Sequence, residues 1–111
     1  MEIFDDFFRP KGIGQILFTT QATHIRFKWD GHVGIVYLNE KEWQKLSPVI
    51  KYFVLMHELG HLKTMPLFAK KASPEDEINA DNYALEACRK VGVIFPSVEV
   101  ARNLYQTQIN Q

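Results

Sequence analysis

The chain has 111 residues, of which 46% are hydrophobic and 13% aromatic. This length and composition suit one globular domain over residues 1–111, large enough to bury a core without disulfide bonds. Its 13 basic and 13 acidic side chains balance, and no stripe of lysine or arginine is present, which argues against a nucleic-acid binder. We therefore expect any partner to be a peptide or a protein.

The first half of the chain is predicted to form about three β-strands. The segments GQILFTT (14–20), THIRFKW (23–29) and VGIVYLN (33–39) are rich in β-branched and aromatic residues. Asp30 and Gly31 form a hairpin-turn signal between the last two segments. The second and third strands are therefore expected to pair in an antiparallel manner.

The second half begins with the start signals of a long helix. Ser47 followed by Pro48 is an N-cap and first-turn pair, and the helix is expected to reach Lys63 or Thr64, ahead of Pro66. The preceding segment EKEWQKL is expected to form a short helix or turn.

Two further helices are predicted towards the C-terminus. Ser73 and Pro74 repeat the same start signal, Asp76 can complete a capping box with Ser73, and the helix is expected to end near Gly92. The segment PSVEVARNLYQTQ, which begins at Pro96, is predicted to form a shorter third helix. The predicted fold class is α+β, with a small antiparallel or mixed sheet followed by helices.

The long helix contains the motif HELGH, in which His57 and His61 are four residues apart. On an α-helix this spacing leaves the two side chains about 40° apart in direction and about 6 Å apart in height, so that both can bind one metal ion. Glu58 lies about 100° around the helix from His57, where it can reach a metal-bound water and act as a base. Catalytic zinc sites use three protein ligands and a water, so a third ligand is expected elsewhere.

The third ligand is expected to be a carboxylate on the helix after Pro74. No histidine follows His61, and Cys88 has no partner cysteine. Glu77 and Asp81 are four residues apart and share one helix face. In a zinc site Glu77 would bind the metal, and Asp81 would accept a hydrogen bond from a ligand histidine. The alternative is a solvated acidic face.

HELGH, followed on the next helix by EINADNYA, resembles the gluzincin zinc metallopeptidases and, more closely, the ImmA/IrrE-like metallopeptidase domain. The resemblance covers residues 33–92, including the strand GIVYLN. It implies a minimal zincin-like fold with one zinc ion per chain, Glu58 as the catalytic acid and base, and a ligand set of His57, His61 and Glu77. It also implies an edge strand along which an extended peptide binds, for which 33–39 is the candidate.

Three further residues are candidates for stabilising the transition state. Tyr83 occupies the aromatic position of the motif, and Arg102, on the last helix, could polarise the scissile carbonyl. His32 lies beside a strand and could face the cleft. The alternative roles are core packing for Tyr83, an exposed charged face for Arg102 and a surface turn for His32.

The predicted function is hydrolysis of peptide bonds by a zinc metalloendopeptidase. Two alternatives remain open. In the first, zinc is bound by a non-proteolytic regulatory or interaction module that uses the metal as a structural clip. In the second, the acidic and imidazole groups pair in the core of a scaffold that binds no metal.

The expected location follows from the single cysteine and the N-terminal residues. Cys88 cannot form an internal disulfide, which is typical of a reducing compartment. The N-terminus MEIFDDFF carries acids where an export signal carries bases, and the central apolar run YFVLM is too short to span a bilayer. We therefore predict a cytoplasmic protein. Phe4, Phe7 and Phe8 near the N-terminus are expected to cover the core, and the alternatives are that they dock a partner or occupy the cleft.

Overall fold

The computed structural model describes residues 13–28, 33–64 and 73–111. The strands are β1 (Ile13–Thr19), β2 (His24–Lys28) and β3 (Val33–Asn39). The helices are α1 (Glu40–Lys45), α2 (Pro48–Thr64), α3 (Pro74–Lys90) and α4 (Val98–Ile109). The predicted α+β class is confirmed. Several residues discussed above lie outside the described residues, namely Phe4, Phe7, Phe8, Asp30, Gly31, His32 and Pro66.

The sheet is mixed, with strand order β1-β3-β2. β3 pairs in parallel with β1 and in antiparallel with β2, which confirms the predicted antiparallel pairing of the second and third strands. The prediction that strand 33–39 is an edge strand is wrong, because β3 lies in the centre and both of its sides are paired. Among the described strands, the free edges belong to β1 and β2.

The central position of β3 follows from its apolar run. Gly34, Ile35, Val36 and Leu38 are all buried, and Val36 and Leu38 are almost completely shielded from solvent. A strand that alternated strictly between apolar and polar residues would leave one face in water, whereas a continuous apolar run is typical of a strand covered on both sides. The run thus agrees with the burial of β3, whereas its central position is given by its pairing with β1 and β2.

The core forms where β3 packs against α2 and where α2 packs against α3. From α2, Ile50, Leu55 and Leu59 are buried in the same cluster as Leu38. Cys88 on α3 is completely buried in this cluster, and burial raises the pKa of its thiol to about 11. Cys88 therefore acts as a small core residue.

Helices α2 and α3 approach each other closely at Gly60. A Cβ atom on Gly60 would lie 2.9 Å from the Cα and 3.0 Å from the carbonyl oxygen of Ala80, and 3.1 Å from the Cβ of Tyr83. Only a residue without a side chain fits this contact without moving a neighbouring backbone. The contact places the HELGH motif directly against the helix that carries Glu77.

Both ends of α3 are fixed by local hydrogen bonds. At its start, the Asp76 N–H donates to Ser73 Oγ at 3.1 Å, and the Ser73 N–H donates to Asp76 Oδ2 at 2.8 Å, which confirms the predicted capping box. At its end, Gly92 has a φ of 86°, and the Val93 N–H donates to the Cys88 carbonyl at 2.9 Å. This is a Schellman-type ending, as Gly92 predicts.

Helix α4 is anchored to the junction between α1 and α2. The Ser47 N–H donates to Gln108 Oε1 at 2.8 Å, and Gln108 Nε2 donates to Ser47 Oγ at 3.2 Å. Lys45 Nζ donates to the carbonyl oxygen of Ile109 at 3.2 Å. These contacts hold the C-terminal end of α4 over the start of α2.

No helix in residues 13–28, 33–64 and 73–111 is both long and apolar enough to cross a membrane. The longest helices, α2 and α3, each have 17 residues.

Replacement of Gly60 by alanine tests the contact between α2 and α3. The added methyl group would meet the backbone of Ala80, so we expect Gly60→Ala to lower the free energy of unfolding by about 1–3 kcal/mol, despite the better helix propensity of alanine. Urea unfolding in the presence of a chelator measures this without any contribution from metal. Asn82→Ala, at an exposed position of α3, is the control. Equal or greater stability of Gly60→Ala would show that the helices can separate at no cost.

Candidate metal centre

Three side chains from α2 and α3 converge on one point. His57 and His61 lie on successive turns of α2, and their Nε2 atoms are 3.1 Å apart. From α3, Glu77 Oε2 lies 3.1 Å from His57 Nε2, and Glu77 Oε1 lies 3.3 Å from His61 Nε2. The structure thus brings together the three ligands predicted from the sequence.

The distances between these atoms suit a tetrahedral metal ion. Two ligands held about 2.0–2.1 Å from a metal in a tetrahedron are about 3.3–3.4 Å from each other. The separation between the two histidine nitrogens, 3.1 Å, is close to this value. The two separations from Glu77, 3.1 and 3.3 Å, are measured from different oxygens, and with one ligand atom per residue all three atoms lie within 4.8 Å of one another. One divalent ion would satisfy all three groups, and their nitrogen and oxygen donors suit such an ion.

A buried carboxylate orients the first of the two histidines. Asp81 Oδ1 lies 2.8 Å from His57 Nδ1, and Asp81 is only 4% exposed. Burial opposes the ionised carboxylate, but hydrogen bonds from His57 and Arg102 hold the pKa of Asp81 below its ordinary value. Because an ionised carboxylate only accepts hydrogen bonds, Nδ1 of His57 carries a proton, and in the neutral ring Nε2 is then free to bind a metal.

The electrostatic surroundings differ between the two histidines. Burial disfavours the charged form of both, but the hydrogen bond to Asp81 and the charges of Glu58 and Asp81 raise the pKa of His57 above its ordinary value. The pKa of His61 is lowered, by burial and then by the positive charge of His57. A low pKa favours the neutral imidazole that a metal requires. Within the described residues, His61 Nδ1 is buried and has no hydrogen-bond partner.

Arg102 completes the support of the site from α4. Its Nη2 atom donates to Asp81 Oδ2, the carboxylate oxygen that His57 does not use. Arg102, Asp81 and His57 therefore form a chain of contacts from α4 through α3 to α2. Arg102 was expected either to face a substrate carbonyl or to lie on an exposed charged face. Its side chain is 53% exposed, and the guanidinium group is engaged by Asp81.

Glu58 lies next to the ligands but does not join them. It is 7% exposed and lines the cleft, and its carboxyl group makes no hydrogen bond to another described residue. Burial raises its pKa to about 7, while the charge of His57 acts in the opposite direction and that of Glu77 in the same direction. A carboxyl group with this pKa can both accept and return a proton near neutral pH.

A cleft of about 610 Å³ opens beside these residues. Its walls come from all four helices and from the residues just before β2, including Thr23. Tyr83 does not line this cleft, and it packs against the hydrophobic core next to Gly60, in line with its alternative role. His32 lies outside the described residues.

Sequence reasoning missed two residues of the cleft. Tyr105 on α4 donates its hydroxyl hydrogen to Glu42 Oε1 on α1, and both residues line the cleft. The position of Tyr105, three residues after Arg102 on a helix, was a signal that it shares the same face. Glu42 gave no comparable signal, because it lies 63 residues away in sequence and only the folded chain brings it to Tyr105.

Comparison of the chain with known protein families, with curated proteins and with solved structures finds no match. The resemblance to the gluzincins therefore stays a prediction from the two motifs.

Metal uptake tests the three ligands directly. We expect the protein to retain about one divalent ion per chain after incubation with zinc and buffer exchange, and to lose it in His57→Ala, His61→Ala and Glu77→Ala. A chelator should also lower the melting temperature of the metal-loaded protein, because the ion joins α2 to α3. Elemental analysis and thermal unfolding measure these effects.

Glu86→Ala is the matched control, since Glu86 lies on the same helix as Glu77 and its side chain is 58% exposed. Absence of bound metal in the wild-type protein, or retention by all three ligand variants, would contradict the site.

The contacts of Asp81 and Arg102 are tested by metal affinity. Asp81→Asn keeps the shape of the side chain but weakens the acceptor for His57 Nδ1, so we expect metal to bind about 10–100-fold more weakly. Arg102→Gln leaves Asp81 in place and should have a smaller effect in the same direction. Competition titrations with a coloured chelator measure both affinities. Unchanged affinity in Asp81→Asn would show that this carboxylate does not support the site.

Proposed function

We propose that the protein is a zinc-dependent endopeptidase that hydrolyses peptide bonds in its cleft. The observation that carries the proposal is the combination of three converging side chains with the buried carboxyl group of Glu58, which lines an open cleft and has no hydrogen-bond partner among the described residues. A site built only to hold a metal has no need of such a group.

The choice of zinc rests on the ligand set. Two imidazoles and one carboxylate are typical of catalytic zinc sites, which keep one position for water or substrate, whereas structural sites are closed by four ligands, usually including cysteine. Among the described residues, the group that could hold a metal has three members. Cys88 is buried in the core and does not belong to this group.

The proposed reaction assigns a role to each residue. When bound, zinc supplies a Lewis acid that polarises the substrate carbonyl and makes water a better nucleophile. Glu58 accepts a proton from the attacking water and returns it to the leaving nitrogen. Asp81 keeps His57 in the tautomer and orientation that binding requires, and Arg102 holds Asp81 in place.

The proposed substrate is an extended peptide that lies along β2. This strand has a free edge within the described sheet and replaces strand 33–39 as the candidate for main-chain pairing. Ala22 and Thr23, which precede β2, line the same cleft as His57 and Glu58. A peptide paired with the start of β2 would therefore pass the metal ligands.

A second candidate function is a metal-clipped regulatory or interaction module without peptidase activity. One observation favours it: the contacts from Arg102 through Asp81 to His57 join three helices, so a metal at His57 would stabilise all of them. The two functions differ in whether Glu58 matters, because a structural clip does not need a base.

Replacement of Glu58 by glutamine separates these functions. Glu58→Gln keeps the size of the side chain but removes the base, so we expect it to retain zinc and fold while hydrolysis falls by about 10²–10⁴-fold. The assay incubates zinc-loaded protein with a diverse peptide library at neutral pH, with and without chelator, and detects products by mass spectrometry. Glu86→Gln, on the exposed face of α3, is the control.

Cleavage at equal rates by wild type and Glu58→Gln would remove Glu58 from the mechanism. Absence of cleavage by wild-type protein with zinc bound would favour the regulatory module.

A further inference from the structure

The cleft is also lined by a carboxylate from α1 that has no assigned role in hydrolysis. Glu42 lies in the first turn of α1 and lines the cleft together with Glu58 and Glu77. Its backbone N–H donates to Asn39 Oδ1 at 3.0 Å, and its Oε1 atom accepts the hydroxyl hydrogen of Tyr105. Glu42 is thus fixed at both its backbone and its side chain.

Acidic side chains outnumber basic ones among the described residues that line the cleft, and Glu42 is one of those without a basic partner. Arg102 is the only lysine or arginine among the described lining residues, and Asp81 engages it. Lys45, one turn after Glu42, donates instead to the carbonyl oxygen of Ile109. Within residues 13–28, 33–64 and 73–111, no ion pair includes Glu42.

Tyr105 prepares Glu42 to accept a second hydrogen bond. The phenol occupies one carboxylate oxygen, Oε1, and leaves Oε2 for another donor. Burial, followed by the hydrogen bond to Glu42 and the charges of Glu42 and Glu58, raises the pKa of Tyr105 above its ordinary value. Tyr105 therefore stays protonated and keeps donating its hydroxyl hydrogen to Glu42.

The neighbouring surface suits the apolar stem of a basic side chain. Phe53, Val54 and Ile109 line the cleft together with Glu42. Lysine and arginine side chains place their methylene groups on apolar surface and direct the charged end to a polar partner. Glu58 in the same cleft is 7% exposed, and its carboxyl group has no hydrogen-bond partner in the part of the chain that the structure describes, which is a second indication that a ligand enters here.

We propose that Glu42, held by Tyr105, is a recognition site for a cationic group of the peptide substrate, either a lysine or arginine side chain or a free N-terminal ammonium. This inference rests on the proposed peptidase function and names its substrate class. Because hydrogen bonds to charged groups contribute about 1.5–3 kcal/mol, loss of the Glu42 charge should weaken binding of cationic peptides by about 10–100-fold.

Peptide binding to an inactive variant tests this selectivity apart from catalysis. The protein is zinc-loaded Glu58→Gln, alone and combined with Glu42→Gln or with Glu40→Gln. Glu40→Gln is the matched control, because Glu40 also lies in the first turn of α1 but is exposed and does not line the cleft. The probes are neutral dodecapeptides with a C-terminal fluorophore, in which one lysine is moved along the sequence, and matched peptides with norleucine in its place. Fluorescence anisotropy gives the affinities.

A preference of at least tenfold for lysine at one position, lost in Glu42→Gln and kept in Glu40→Gln, supports the proposal. If the preference depends on a free N-terminus and disappears on acetylation, the recognised group is the terminal ammonium. Equal affinity for lysine and norleucine peptides, a preference that survives Glu42→Gln, or binding of neither peptide would overturn the proposal.

A second variant guards against misfolding of Glu42→Gln. Tyr105→Phe keeps the Glu42 charge and the aromatic ring but removes the donor, and should reduce the lysine preference several-fold.

Failure of this inference is distinguishable from failure of the peptidase proposal. If wild-type protein cleaves peptides without any preference for cations, only the proposed role of Glu42 is overturned. If it binds cationic peptides selectively but cleaves none, only the peptidase proposal is overturned.

Discussion

The close approach of α2 and α3 at Gly60 is the constraint on which the site depends. A side chain there would meet the backbone of Ala80 at 2.9 Å, and the two helices would have to separate. His61 follows Gly60 directly on α2, and Glu77 lies about one helical turn before Ala80 on α3. Separation of the two helices would therefore move Glu77 away from the histidines. Metal geometry tolerates deviations of about 0.2 Å, which makes this packing contact a condition for binding.

The support of the site extends from this contact to the last helix. Asp81 receives hydrogen bonds from both His57 and Arg102, so α4 is linked to α2 through a single buried carboxylate. The same helix face carries Tyr105, which positions Glu42. One helix therefore both stabilises the ligand geometry and forms a wall of the cleft, and any displacement of α4 would alter the two together.

The parts of the site that sequence could predict are those set by local periodicity. The directions of His57, His61, Glu77 and Asp81 follow from helix geometry, and the ends of α3 follow from its capping residues. Strand order was not predictable in this way, because it depends on pairing between segments that lie apart in sequence. The prediction that strand 33–39 lies at the edge was wrong for this reason. The apolar run of that strand was the signal that pointed to its burial.

The sequence separations of these contacts set an order in which the site can assemble. His57 and Asp81 are 24 residues apart and Arg102 and Asp81 are 21 apart, whereas Tyr105 and Glu42 are 63 apart. Closing a longer loop costs more chain entropy, and contacts distant in sequence slow folding. The two contacts of Asp81 therefore close short loops of similar cost, whereas the contact between Tyr105 and Glu42 closes the longest of the three, and the Glu42 wall of the cleft is expected to close last.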